Sequence, residues 1–131
     1  MRTAFIRGPG EVRLMTISAD GKDLTALTKP QDPFSGPASP SYSPNGKRIL
    51  FGAFAKGNRI FAFDAADGSD RVQLTNGDSQ GVEPAYSPDG GSIVFRRGAN
   101  LFAMDSDGSG VKQLTDLGGG EGTYIHPSWG R

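Results

Sequence analysis

The chain carries at residues 40–46 the stretch Pro-Ser-Tyr-Ser-Pro-Asn-Gly, which returns 44 residues later, at 84–90, as Pro-Ala-Tyr-Ser-Pro-Asp-Gly. A third start, Pro127-Ser128-Trp129, follows 43 residues further on. Similar apolar segments follow the first two starts, namely Ile49-Leu50-Phe51 with Ile60-Phe61-Ala62-Phe63, and Ile93-Val94-Phe95 with Leu101-Phe102-Ala103-Met104. A repeat of about 40–45 residues with several short apolar segments is typical of one β-propeller blade.

Each repeat closes with an Asp-Gly pair and a Leu-Thr pair: Asp67-Gly68 with Leu74-Thr75, and Asp107-Gly108 with Leu114-Thr115. The first residues carry the later part of the same unit, in Val12 to Ile17, Asp20-Gly21 and Leu27-Thr28, and Thr3 to Ile6 take the place of Ile49 to Phe51. The chain therefore divides into strands two to four of a blade (1–38), two full blades (39–82 and 83–122) and the first strand of a further blade (123–131). That is about three blade equivalents.

The turn chemistry supports this division. In Ser-Pro-Asn-Gly and Ser-Pro-Asp-Gly, proline stands second, where its fixed φ suits a tight turn, and glycine stands fourth. We expect Gly46 and Gly90 to adopt positive φ and to tolerate alanine poorly. The Asp-Gly pairs are expected to form hairpin turns between the third and fourth strands.

The strand segments are apolar at successive positions, which is typical of a sheet covered on both faces. Blades stacked around an axis have that environment. We therefore expect Phe51, Phe61, Phe95 and Phe102 to be largely buried between blades. No stretch shows helical periodicity for more than a turn, so the predicted fold is an all-β propeller of four-stranded antiparallel blades without helices.

The combined signature closely resembles the TolB-type (WD40-like) β-propeller repeat family, over nearly the whole chain. Tyr42 and Tyr86 depart from the tryptophan usual in that family, which Trp129 keeps. The resemblance implies propellers of six or more blades that mediate protein contacts in the bacterial envelope, or that accompany prolyl-oligopeptidase-like catalytic domains. It implies a periplasmic or extracellular location, whereas a native start at Met1 would indicate the cytoplasm.

Composition excludes several classes of function. The 131 residues include 14 basic and 14 acidic side chains, and this balance argues against nucleic-acid binding. The absence of cysteine excludes disulfides, thiolate metal sites and cysteine nucleophiles. The apolar runs are too short to cross a membrane as a helix, and residues 1–7 do not read as a signal peptide.

Two candidate reactive sites are weak. His126 is the single histidine, and it lacks the second histidine, the cysteine or the Gly-x-Ser-x-Gly motif that a zinc or hydrolytic site needs. The segment from Asp105 to Asp116 matches the spacing of a calcium loop, but its flanks read as strands, and an Asp-Gly-Ser hairpin explains it. We therefore predict no enzyme activity, no metal site and no cofactor.

A binding face is predicted from the meander. Connections between the second and third strands share one end of the blades with the connections between blades, and loops on a rigid scaffold usually carry binding. The connections between the second and third strands are rich in basic residues. The connections between blades (29–39, 76–83 and 116–125) are long and irregular. The predicted site residues are Arg7, Phe34, Lys56, Arg59, Arg96 and Arg97. An unspecialised, solvated charged rim explains the same residues.

The leading functional interpretation is a non-catalytic scaffold that binds a protein or peptide. One alternative is the propeller part of a larger protein, such as a prolyl-oligopeptidase-like hydrolase. Another is a purely structural, self-assembling repeat protein. The strand count also predicts a homodimer in which two chains close one six-bladed ring, since roughly four to eight blades are needed to surround an axis.

Overall fold

The computed structural model describes residues 2–8, 12–29, 31–76 and 81–116, which form three antiparallel sheets. The strands are β1 (Arg2–Arg7), β2 (Arg13–Ser18), β3 (Leu24–Ala26), β4 (Ser35–Tyr42), β5 (Arg48–Phe54), β6 (Asn58–Asp64), β7 (Val72–Gln73), β8 (Val82–Tyr86), β9 (Ser92–Arg97), β10 (Asn100–Asp105) and β11 (Lys112–Gln113). None of these described residues is helical. The predicted all-β propeller fold is confirmed.

Each sheet is a meander in chain order. The first blade consists of β1, β2 and β3, the second of β4 to β7 and the third of β8 to β11. The inner strands β4 and β8 lie beside each other, and β4 also lies beside β1. The strand registers of the three blades correspond, since Phe5 pairs with Met15, Phe51 with Phe61 and Phe95 with Phe102.

The tight turns form as their residues predict. The Gly46 N–H donates to the Ser43 carbonyl at 2.9 Å, and Gly90 does the same to Ser87. The φ angles of Gly46 and Gly90 are 73° and 75°, in the left-handed region that favours glycine. The Ser43 hydroxyl, which donates to Asn45 Oδ1 at 2.7 Å, also accepts a hydrogen bond from the Arg48 N–H, so the hairpin is closed by side chains as well as backbone.

The inner strands are bent by bulges at the same repeat position. The pairing of β4 with β5 shifts between Ala38 and Ser41, and that of β8 with β9 shifts between Val82 and Ala85. Ser39 and Glu83 lie within these bulges, both with φ of 54°. A bulge redirects side chains and increases strand twist. Because both bulges lie at the same repeat position, the bend is a feature of the repeat.

Both faces of the middle blade are buried. Leu14 and Leu27 of the first blade pack against one face, which presents Ile49, Phe51, Phe61 and Phe63. Leu50, Ile60 and Leu74 on the other face pack against the third blade's Ile93, Phe95 and Met104. Phe51, Phe61 and Phe95 are at most 3% exposed, as predicted. Phe102 is only partly buried, between the Phe95 ring, on which it stacks, and the Arg97 guanidinium.

The Leu-Thr pair holds the outer edge of every blade. The hydroxyl oxygens of Thr28, Thr75 and Thr115 accept hydrogen bonds of 2.9–3.1 Å from backbone N–H groups near the starts of β2, β6 and β10. The donors are the N–H groups of Leu14, Ile60 and Leu101, respectively. The preceding leucine N–H donates back to the carbonyl of the same residue. A buried N–H without such a partner would cost about 1–3 kcal/mol, which explains the threonine.

The Asp-Gly turns also contact the preceding blade. A Cβ built on Gly68 would lie 2.6 Å from the Leu27 carbonyl oxygen, and one on Gly108 would lie 2.8 Å from that of Leu74. A Cβ on Gly21, in the first blade, would meet nothing within 4 Å. Glycine therefore allows the close stacking of one blade on the Leu-Thr segment of the previous one.

We predict that Gly68→Ala destabilises the protein more than Gly98→Ala. Both glycines have positive φ, at 76° and 60°, so both substitutions incur the cost of a left-handed alanine, about 1–2 kcal/mol. Only the Cβ at position 68 meets a backbone carbonyl, which adds about 1–3 kcal/mol of overpacking. Urea unfolding of the two variants measures the difference, and equal midpoints would contradict the stacking contact.

Candidate functional site

The interblade connection and the β5–β6 turn meet at one end of the blades. The Gly81 N–H donates to the Asn58 carbonyl at 3.0 Å, which ties the start of the third blade to the turn of the second. A Cβ on Gly81 would lie 2.7 Å from Ile60 Cδ1 and 2.9 Å from Phe95 Cδ2. The loops at this end are therefore anchored directly on the core between the two blades.

The β5–β6 turn uses one of its predicted site residues for its own structure. Arg59 is 6% exposed, and its guanidinium donates hydrogen bonds to the carbonyls of Lys56, at 2.8 Å, and of Asn58. Lys56 has φ of 58° and its side chain is exposed. The two residues thus lie in one turn, with Lys56 facing solvent and Arg59 holding the turn together.

Phe34 lies in the packing between the first and second blades. Its ring is half-buried, 4.9 Å from the Phe61 ring centroid and 5.4 Å from that of Phe51. The Arg71 guanidinium lies 5.5 Å from the Phe34 centroid and bonds Asp32 at 3.0 Å. The ring therefore connects the interblade segment to the core.

The two arginines at the end of β9 have different environments. Arg96 bonds Glu83 Oε1 at 3.3 Å and the Gly98 carbonyl at 2.8 Å. The Arg97 guanidinium lies 4.3 Å from the Phe102 centroid, and burial lowers the pKa of Arg97 below its ordinary value. Both side chains have packing roles, so replacing them would perturb the fold as well as the surface.

Arg7 is exposed at the end of β1, where it pairs in register with Arg13 of the first blade. The structure brings Lys56 and Arg59 together in one turn, and Arg96 and Arg97 together at the end of the third blade's β9. Phe34 does not lie on one solvent-exposed surface with these basic residues, because it packs against the core of the second blade.

A cleft of about 260 Å³ lies at this end, between the second and third blades. Its lining comes from the bulged inner strands, the end of β5, the start of β6 and the end of β9: Gly36, Ala38, Ser39, Gly52, Ala53, Phe54, Asn58, Val82, Glu83 and Arg96. Phe54 is 56% exposed at its rim, an unusual position for a large aromatic side chain. The Glu83–Arg96 ion pair supplies the charged part of the wall.

The sequence prediction missed Phe54, Glu83 and Ser39. A usable signal was present in the repeat comparison, because Phe54 stands where the third blade has Gly98, and Glu83 stands where the second blade has Ser39. Departures from a repeat at loop positions mark residues that the fold itself does not require. The bulges, which bring these positions to one cleft, have no comparable sequence signal.

The opposite end of the blades carries hydrogen-bonded carboxylates. A neighbouring serine hydroxyl, followed by a backbone N–H, lowers the pKa of the carboxyls of Asp20, Asp67, Asp89 and Asp107 below the usual aspartate range. Within residues 2–8, 12–29, 31–76 and 81–116, no group of three or more His, Asp or Glu side chains could hold a metal ion. His126 lies outside the described residues.

Comparison with solved structures decides the family. A putative TolB from Agrobacterium tumefaciens matches 93% of this chain with a TM-score of 0.75 and 26% identity. TolB from Acinetobacter baumannii matches 88% with a TM-score of 0.69 and 28% identity. The chain belongs to the TolB-type β-propellers. It covers 48% and 30% of these two structures, respectively.

Curated relatives agree with the TolB-type assignment. An uncharacterised protein of Agrobacterium fabrum is 33% identical over 102 residues, which cover 69% of this chain and 35% of that protein. The Tol-Pal system protein TolB of Nitrosococcus oceani is 31% identical over 88 residues (66% and 19%), and an uncharacterised peptidase of Bacillus subtilis is 29% identical over 116 (77% and 16%). The chain thus spans about a third or less of these relatives. No family model matches it.

The described part of this TolB-type chain contains no helix with the length and hydrophobicity needed to cross a bilayer.

We predict that the turn carboxylates make the protein sensitive to acid. A folded-state pKa below the unfolded value contributes stability at neutral pH, and this contribution is lost as the pH falls below about 4. Asp89→Asn should therefore leave the melting temperature at pH 7 close to that of the parent and reduce its fall at pH 3, because Asn45 already makes the equivalent hydrogen bonds in the second blade.

The reciprocal substitution Asn45→Asp is the matched control, and it should steepen the loss between pH 5 and pH 3. Thermal melts over that range measure both variants. Identical acid profiles for the parent and both variants would contradict the assignment.

Proposed function

We propose that this TolB-type chain is a non-catalytic scaffold that binds a protein or peptide at the cleft between its second and third blades. The observation that carries this proposal is the 56% exposed Phe54 at the rim of the cleft, beside the Glu83–Arg96 ion pair. A large aromatic side chain that the fold leaves in water is a typical anchor of protein–protein contacts.

The size of the cleft favours a side chain of a partner over a free small molecule. Its volume of about 260 Å³ lies below the range of roughly 300–1,000 Å³ that small-molecule sites usually occupy. A single aromatic or aliphatic side chain fits such a space. Lys56 and Asn58 are exposed nearby and supply polar groups to orient the peptide around it.

The similarity of this chain to TolB proteins supports a role in protein contacts. One relative is named as a protein of the Tol-Pal system, and the two similar structures are described as TolB. The two structural matches cover 93% and 88% of this chain, and they therefore include most of the blades that form the cleft. We therefore favour a protein partner over a metabolite.

A second candidate function rests on the Bacillus subtilis relative, which is named as a peptidase and of which this chain covers 16%. In that case the blades would accompany a catalytic domain and admit or exclude its substrates. A catalytic Ser-Asp-His set in the same reading frame would favour this alternative, and its absence from the gene would favour the scaffold.

The experiment selects binders from a random-peptide phage library on the immobilised chain and then measures their affinity for variants by fluorescence anisotropy. We predict that Phe54→Ala weakens the selected peptides by about tenfold or more, which corresponds to about 1.4 kcal/mol or more. Val72→Ala is the matched control, since Val72 is 46% exposed on the outer strand β7, away from the cleft lining.

Because Phe54 is mostly exposed, its truncation should leave the melting temperature almost unchanged. Binders that tolerate Phe54→Ala, or a library that yields none, would contradict a peptide site at this cleft.

A further inference from the structure

A second cleft, which we call the polar cleft, lies between the second and third blades at the end opposite to Phe54. Its volume is about 360 Å³, within the range of roughly 300–1,000 Å³ that small-molecule sites usually occupy. The tight turns of the two blades meet beside it, since a Cβ on Gly90 would lie 3.4 Å from Pro44 Cδ. Its lining includes Pro44, Asn45, Arg48, Tyr86 and Asp89.

The side chains of Asn45 and Asp89 are fixed in place at these two turns. Each uses its Oδ1 atom to accept hydrogen bonds from the serine hydroxyl two residues earlier and from the backbone N–H two residues later. Within the described residues, Asn45 Nδ2 and Asp89 Oδ2 make no hydrogen bond. The cleft therefore has a preorganised amide donor on one turn and a preorganised carboxylate oxygen on the other.

Arg48 supplies the positive charge of the polar cleft. It is half-buried, and its guanidinium donates one hydrogen bond, to the Asp70 carbonyl at 2.8 Å. Arg2 stands at the equivalent position of the first blade, and it also donates to the carbonyl of the equivalent aspartate, Asp23, at 3.0 Å. This shared hydrogen bond is the structural role of the arginine in the repeat.

Arg2 has further acceptors that Arg48 lacks. The Arg2 guanidinium also bonds the Asp23 carboxylate and the hydroxyls of two threonines, Thr16 and Thr25. In the second blade the register places Ala62 and Val72 at the positions of these threonines, and neither side chain can accept a hydrogen bond.

The unused N–H groups of Arg48 favour an anionic ligand. Among the residues that the structure describes, no carboxylate forms an ion pair with Arg48. A guanidinium binds a carboxylate through two parallel hydrogen bonds, which makes this group the best match for its free edge.

Tyr86 lies near Arg48 in the polar cleft. Its ring packs against the core between the two blades, and its hydroxyl makes no hydrogen bond in the part of the chain that the structure describes. Burial raises the pKa of Tyr86 above its ordinary value, and the positive charge of Arg48 offsets part of this effect. The hydroxyl is therefore protonated at neutral pH and can donate to the same carboxylate as Arg48.

The polar cleft also carries a negative charge. The Ser87 hydroxyl, followed by the Gly91 N–H, lowers the pKa of Asp89, so this carboxyl is ionised at neutral pH. Asp89 and Arg48 form no ion pair with each other within the described ranges. A simple anion would be repelled by Asp89 and a simple cation by Arg48, whereas a ligand that carries both charges complements both groups.

We propose that the polar cleft binds a small zwitterion with a carboxylate and an ammonium group, such as a free α-amino acid. The carboxylate accepts hydrogen bonds from the Arg48 guanidinium, the Tyr86 hydroxyl and Asn45 Nδ2. The ammonium group donates to Asp89 Oδ2. This site is separate from the peptide cleft, since Arg48 begins β5 and Phe54 ends it.

Isothermal titration calorimetry of the full chain tests the ligand class, with each standard amino acid added in turn at millimolar concentration. We expect at least one of them to bind. Its deaminated acid and its decarboxylated amine should bind about tenfold or more weakly, because each loses the hydrogen bonds to one charged group. The absence of binding by every amino acid would overturn the proposal, and so would a deaminated acid that binds as tightly as its parent.

Two substitutions test the residues. Arg48→Ser introduces the residue found at the equivalent position of the third blade, Ser92, and Asp89→Asn introduces the turn residue of the second blade. Each should weaken the amino acid about tenfold or more. Asp89→Asn should do so without a change in melting temperature at neutral pH, because asparagine keeps the hydrogen bonds of the turn.

Lys112→Ser is the matched control, since it also removes one positive charge, on the exposed outer strand β11 outside the cleft lining. It should bind the amino acid as the parent does. Binding that survives Asp89→Asn or a folded Arg48→Ser variant, or that falls equally in Lys112→Ser, would overturn the assignment to this cleft.

Discussion

The second blade is covered on both sides, and the rest of the structure depends on this constraint. Ile49 and Phe51 point to the first blade while Leu50 points to the third, so alternate residues of one strand enter two different cores. Burying each such side chain contributes about 1.5–3 kcal/mol, but only when a blade is present on that side. Stability is therefore shared between neighbours, as in other repeat architectures.

Two small groups set how closely the blades stack. The threonine of each Leu-Thr pair satisfies a backbone N–H at the start of the third strand, which allows this part of the sheet to be buried. The glycine of each Asp-Gly turn then lets the next blade approach the leucine carbonyl. Larger residues at either place would separate the blades and leave voids between their aromatic faces.

The candidate site uses positions where the repeats differ. Arg59 holds the β5–β6 turn, and the Gly81–Asn58 hydrogen bond holds the start of the third blade against that turn, so both sides of the cleft are tied to the core. Phe54 and Glu83 are additions to this frame that have no counterpart in the neighbouring repeat. Residues at such positions can change without cost to the core, because the fold does not depend on them.

The sequence alone determined the repeat, the order of the strands, the tight turns and the absence of helices in the described residues. These features are local: proline sets its own φ, glycine permits a positive φ within a turn, and apolar residues at successive positions require cover on both faces.

Tertiary structure alone decided which of the basic and aromatic loop residues face solvent. Arg59, Arg97 and Phe34 carry the same local signals as a binding surface, yet each is packed against groups from the turn or the core. Phe54 carries the local signal of a buried strand, yet it is 56% exposed at the rim of the cleft between the second and third blades. The exposure of a side chain depends on neighbours distant in the chain, and no local pattern contains that information.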